Sequence, residues 1–513
     1  MALVDWDVQA EPSSGESGVS IDVPDHWPEE WVRYWPSYEE KGWSFSDYER
    51  LRTIGPMGGV DSTWDNGAAT GVWGTAANWS GDALPTVTAT FDATSAANCA
   101  IDVNVSITSI VIAAGYTGTL SHNSSFTVTT SGAFTIAAGT YDTNSEALTV
   151  GSFSGGAAGT LTLDASTMTC NGNFTRSSTT LNSGTSTLVM GATANMDSAS
   201  TFAGANIFYN VTVNVSTTTT LVTNHCYWGG TMTISGTLAI GALNALCCPP
   251  TAVTIVGLAG GGTLSGTGQS GLVATAASGT VFTPNFTGTW SSTGVLYLGP
   301  GNTGTSTVRL LASLTISGAV PSCRLGNNSG GVGAVFDCNG FTFTTTRFDN
   351  PQGFTANRGA KVDLSVAGSA IVCNGPFGMG DIAYWTFGAG TITMSGTSAY
   401  DNRSTSASNN AGTGTLVFTG ASPTWSQDNS NADPYNFRFN GSETIATTTT
   451  RFGCTNQFRV SAGTVTPQVA ITAVTSYLID GGTLTWNSAS SVQAAITVSS
   501  GTLNITAADT FTG

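Results

Sequence analysis

The sequence predicts an all-β fold: a long parallel β-helix or solenoid with coils of about 21 residues, preceded by a short aromatic, partly helical N-terminal segment. Three observations predict it. Charge is scarce, β-branched and small residues abound, and short triplets with apolar ends return at a near-constant interval. Charged residues make up 9% of the chain, where about a quarter is usual, and Gly alone supplies 64 residues. Such a chain has few long charged side chains to solvate helix faces and many residues suited to strands. A mean hydropathy of +0.10 with 40% hydrophobic residues argues against disorder.

The interval is read from Phe126-Thr127-Val128, Leu148-Thr149-Val150, Met168-Thr169-Cys170, Leu188-Val189-Met190, Val211-Thr212-Val213, Met232-Thr233-Ile234 and Val253-Thr254-Ile255. Their first residues lie 22, 20, 20, 23, 21 and 21 apart. Most have the alternation of a half-buried strand, Leu188-Val189-Met190 being apolar throughout, and Gly, Ser and Asn clusters separate them. A single coil cannot bury its inward Val, Ile and Leu, but coils stacked about 4.8 Å apart pair their backbones and close a core. Residues 101–340 are therefore assigned to the solenoid. Beyond residue 260 the interval loosens, although similar triplets return at Leu314, Phe341, Ile392, Leu484 and Ile496. Residues 341–513 are read as continued solenoid or a distal β domain. The competing fold is a string of β-sandwiches, whose strands also recur at short intervals. Cys226 and Cys247 are one interval apart and are expected to stack in adjacent coils.

Residues 1–60 differ. They hold twelve of the 31 acidic residues, and Trp27, Trp31, Tyr34, Trp35, Tyr38, Trp43, Phe45 and Tyr48 crowd into one stretch. Pro28 followed by Glu29 and Glu30 suits a helix start, and Pro36 would end that helix within about two turns. The segment reads either as a cap folded over the β-stack or as an anchor whose aromatics, above all Trp27, Trp31, Tyr34, Trp35, Trp43 and Tyr48, dock into a partner.

Residues 61–100 carry a denser pattern: Trp64-Asp65-Asn66-Gly67, Gly71-Val72-Trp73-Gly74, Asn78-Trp79-Ser80-Gly81-Asp82 and Pro85. The Gly and Asn positions signal tight turns, which places Trp64, Trp73 and Trp79 on short strands between them as an apolar plug for one end of the stack. This stretch resembles the W…W..NWSGD..P segment that opens β-solenoid modules of bacterial surface proteins and of bacteriophage fibre or other virion proteins. The likeness covers about 40 residues closely and the remainder only in style.

Composition also narrows function. Past residue 60 the only lysine is Lys361 and the only glutamates are Glu146 and Glu443, so no basic stripe exists to bind nucleic acid. No run of about 18 apolar residues exists, so no membrane insertion is expected. The first residues lack a basic and then an apolar region, so no secretory signal is read there. His26, His122 and His225 lie on separate segments, and no zinc site or cofactor is expected. The nine cysteines include no CxxC pair and read as buried thiols. Polysaccharide chemistry on a β-helix would need paired carboxylates, and stacked coils could bring Asp337 and Asp363 together with Arg358 or Lys361 beside them. Asp and Arg in such a Gly/Asn-rich stretch more often satisfy turns, so no catalytic residues are assigned and no enzymatic role is expected. Whether Trp425 and residues 423–440 bind a glycan or cover the stack is left open.

These readings and the resemblance together lead to the expectation of a structural virion protein, a projecting fibre, spike or capsid decoration of a bacteriophage-like particle at the virion surface. Its partners would be other virion proteins, met through residues 1–60, with host surface glycans as candidate receptors. Phage fibres of this kind are often trimers, so the resemblance implies a homo-oligomer with a trimer favoured. The alternatives are a secreted cell-surface adhesin or surface-layer protein, located extracellularly, and a polysaccharide-degrading β-helix enzyme.

Overall fold

A computed structural model describes residues 59–505, except for 198–206, 249–254, 275–280, 299–306, 317–322, 326–334, 350–360, 403–411, 428–433, 487–493 and several shorter stretches. The N-terminal segment, with Trp27, Trp31, Tyr34, Trp35, Trp43 and Tyr48, lies outside the described residues, as do His26, His225 and Arg358.

The chain from residue 60 onward is a β-solenoid. Each coil contributes short strands to successive faces, as in Leu148–Val150, Ser152–Gly155 and Thr160–Thr162, after which Thr167–Cys170 returns to the first face. Every strand-to-strand pairing among the described residues is parallel, and each links a strand to its counterpart in the next coil. A string of sandwiches, built from antiparallel sheets, is thereby excluded. One sheet of thirteen strands runs from Val105–Ile107 to Tyr384–Thr386, about 13 turns in one unbroken ladder. A nine-stranded sheet carries the stack on from Leu314–Thr315 to Ala495–Val498. Among the described residues the only helical pieces are two 3₁₀ turns, Ala76–Asn78 and Ser80–Asp82, and no helix is long and apolar enough to cross a membrane.

Alternation sets the two sides of each strand. In Thr187–Met190 the burial order is half-buried, buried, half-buried, buried, and the same order recurs in Asn210–Val213 and Thr391–Met394. Inward residues stack on their own kind: Phe134, Phe153 and Phe174 lie face to face in consecutive coils, with centroids 6.3 and 4.9 Å apart. Outward positions form hydroxyl columns, such as Thr119, Thr140, Thr160 and Thr180.

The register corrects the triplet reading in three places. The ladder position belongs to Val128, which pairs with Val105 and Leu148, while Phe126 packs half-buried at the preceding corner. Phe126 and Val128 are both apolar and two residues apart, so alternation alone does not say which one enters the sheet. Met232 pairs with Leu258 in the strand Ile255–Gly260, while Val253 and Thr254 of the triplet lie outside the described residues. Cys226 pairs with Leu246, and Cys247 pairs with Tyr227. The local repeat is one residue shorter than the 21-residue interval, so the two cysteines are offset by one position and do not pair.

Corners demand unusual backbone. Gly260 has φ +108°, and a side chain there would meet the Ile234 carbonyl oxygen at 2.1 Å, so only glycine fits. Elsewhere Asn, Asp and Ser take the left-handed conformation, as at Asn144, Asp164 and Asn339.

Candidate functional site

The first described coil is closed by the three tryptophans. Trp64 and Trp79 form an isolated antiparallel bridge, and Trp73 sits in the turn between them, not on a strand. The ring pairs Trp64–Trp79 and Trp73–Trp79 pack edge to face at 5.2 and 4.7 Å, and Phe91 lies against all three. Trp64 Nε1 donates to the Ala97 carbonyl and Trp79 Nε1 to the Trp73 carbonyl, so these two indoles are buried without loss of a hydrogen bond. The rest of the motif holds this plug in place. The Asn78 amide donates to Thr70 Oγ1 and the Val72 carbonyl, Asp65 accepts from the Gly67 amide, and Asn66 from the Gly71 amide. Gly81 and Asp82 turn the chain with positive φ. The cluster has no exposed aromatic face and acts through packing.

The carboxylates proposed from the sequence do meet. Asp337 pairs in register with Asp363 on the next coil of the thirteen-stranded sheet. Arg309 Nε donates to Asp337 Oδ2 at 2.8 Å, and Lys361 Nζ donates to Asp363 Oδ2 at 2.7 Å. The other oxygens accept backbone amides two residues on, from Asn339 and Ser365. The same turn occurs at Asp65, Asp92 and Asp142, so these carboxylates belong to the corner architecture. Burial would raise the Asp363 carboxyl, but hydrogen bonds from Lys361 and Ser365 outweigh it and hold it below the usual range. An acid catalyst for glycoside cleavage needs the opposite shift.

Thiols offer no nucleophile among the described residues. The thiols of Cys99, Cys170, Cys226, Cys338, Cys373 and Cys454 are buried. Burial pushes the Cys226 thiol up to about 12 and raises that of Cys99, which keeps both as unreactive thiols. No group of three metal-binding side chains gathers among the described residues. Trp425 lies in the strand Thr424–Gln427, in register with Tyr400.

Sequence reasoning missed a buried polar pair. His122 is fully buried; its Nδ1 lies 2.9 Å from the Phe126 carbonyl, and its Nε2 is hydrogen-bonded to the Tyr141 hydroxyl. A carbonyl only accepts, so Nδ1 carries the proton and Nε2 accepts from Tyr141. Burial lowers the His122 pKa from its ordinary 6.5, against the opposing pulls of the Phe126 carbonyl, Glu146 and Asp142. The folded state therefore binds fewer protons here than the unfolded chain. The stability owed to a neutral His122 is complete above about pH 6.5 and falls as pH drops toward the lowered value, by up to about 1.4 kcal/mol per pH unit. Urea denaturation of wild type and His122→Gln between pH 5 and 8 checks this; equal slopes in that window would contradict it.

No family profile, no curated protein and no solved structure matches the chain.

Proposed function

We propose that the protein is a structural component of a bacteriophage-like particle, a projecting fibre, spike or decoration. In this reading residues 1–60 attach it to other virion proteins, and its solenoid presents surface to host glycans. The observation that carries the reading is the long parallel stack closed by a dedicated tryptophan plug: it is built to hold shape over many coils. The likeness of residues 64–85 to the opening segment of virion and surface β-solenoids points the same way. The engaged state of Asp337 and Asp363 supports a non-catalytic role.

Deleting residues 1–60 is expected to abolish incorporation into the particle while leaving the β circular dichroism of the remainder intact. Normal incorporation of the truncated protein would refute the anchoring role. A cryo-EM image of the native assembly is expected to place the solenoid as a projection rooted through its N-terminal segment.

One observation favours a second reading. The stacking of Asp337 on Asp363 is the arrangement a polysaccharide-degrading β-helix would need. Incubation with host-type glycans separates the two: new reducing ends or unsaturated products, lost in Asp363→Asn, would establish the enzyme.

A further inference from the structure

The triplets Asn436-Phe437-Arg438 and Gln457-Phe458-Arg459 repeat 21 residues apart and pair position by position in the nine-stranded sheet. Phe437 and Phe458 are buried and stacked, 5.0 Å between centroids and 12° from parallel. Alternation then turns the flanking residues outward, so Arg438 and Arg459 occupy neighbouring positions on the outer face, one coil apart. Like charges placed directly opposite across a parallel pair repel. Only one acid among the described residues answers them: Arg459 donates through Nε and Nη2 to Asp480 Oδ2. Arg438 gives its Nε–H to Ser461 Oγ at 3.2 Å, and no described residue accepts from its terminal amino groups.

This cluster differs from the other described outer-face ion pairs. Arg309 with Asp337 and Lys361 with Asp363 are matched one to one, whereas two guanidinium groups here share one carboxylate. The surroundings are those of a flat polar platform. Thr415, Asn436, Gln457 and Ser476 form the adjacent outward column, and the side-chain amide of Gln457 has no hydrogen-bond partner among the described residues. Val417 and Leu478 flank the arginines along their own column.

We propose that Arg438 and Arg459 bind a carboxylate of an acidic polysaccharide whose chain lies along this face. Arg438 supplies the planar pair of donors that fits a carboxylate, and the excess positive charge favours an anion. The Thr, Asn, Gln and Ser column can meet sugar hydroxyls. A nucleic acid is disfavoured because a single excess charge releases few counterions. The proposal rests on the glycan-contact part of the function proposed above and names the chemistry of one contact site.

The test uses the purified full-length chain at about 0.1 M salt, where a charge contact is not fully screened. Binding to polygalacturonate, to neutral dextran and to single-stranded DNA is measured by affinity electrophoresis. Retardation by polygalacturonate alone is expected, weakened at least about fivefold in Arg438→Gln, with Arg438→Lys intermediate because it keeps the charge without the planar fork. Arg438→Gln leaves the Arg459–Asp480 pair in place, so an unchanged thermal melt is expected alongside the lost affinity. Equal binding by wild type and Arg438→Gln would overturn the assignment, as would tighter binding of DNA than of polygalacturonate. Dextran bound as tightly as polygalacturonate would also overturn it, while leaving the glycan-contact reading standing. No binding to either polysaccharide would remove both.

Discussion

Trp79→Ala is expected to destabilise the first described coils by about 4–5 kcal/mol, at the top of the range for deleting a buried aromatic. Trp79 is the ring shared by both tryptophan pairs, packs on Phe91 and donates its indole proton to the Trp73 carbonyl. The substitution removes all of these at once and leaves a large cavity at 0% exposure. Trp79→Phe keeps a ring but not the donor and should lose about 1–2 kcal/mol. Hydrogen exchange at residues 62–116 reports the effect directly. Protection unchanged within about 1 kcal/mol would mean that the plug is not coupled to the coils it covers.

Gly260→Ala is expected to be nearly as damaging, by a different mechanism. At φ +108° an alanine is strained before any contact is counted, and its Cβ would lie 2.1 Å from the Ile234 carbonyl oxygen and 2.6 Å from the carbonyl carbon. Both atoms are backbone in the coil below, so relief requires breaking the parallel pairing of Thr231–Ile234 with Ile255–Gly260. A loss of about 3–4 kcal/mol follows from left-handed strain plus a disrupted rung. Gly261→Ala is the control: the nearest atom, Thr287 Oγ1, is 3.8 Å from the added carbon. If both variants melted together with wild type, the corner geometry at Gly260 would be wrong. Because each coil touches only its neighbours, exchange should rise around residues 231–290 and stay unchanged near Trp64.

The solenoid was legible because its signal is redundant: each coil repeats the alternation of inward and outward residues, and Leu148, Met168, Leu188 and Val211 stand directly above one another. The tryptophan plug was legible for the same reason, since three large apolar rings framed by turn residues have few other uses. Register was less so. Phe126 and Val128 satisfy alternation equally, and only the hydrogen-bonded partner distinguishes them. The stacking of Asp337 on Asp363 could be anticipated from spacing, but their turn-forming bonds to Asn339 and Ser365 could not be told from catalytic placement without coordinates. The arginine pair is legible in principle, as a repeated polar-Phe-Arg triplet one coil apart, but the stronger apolar repeat obscures it. His122 carried no signal, for a buried histidine is recognised only by what surrounds it.

The unequal coils have a consequence for how such a molecule measures distance. Thr342 pairs with Ala370, 28 residues on, while Gln457 pairs with Ser476 after only 19. Both steps advance the stack by one strand spacing, about 4.8 Å. Where every residue is described, as in the coils from Val105 to Val128 and from Leu148 to Met168, the three additional residues of the longer coil lie in the connections between strands. End-to-end extent is thus a count of rungs and is insulated from the number of amino acids in any of them. The solenoid is a ruler whose gradations stay fixed while the lettering beside each mark is free to lengthen.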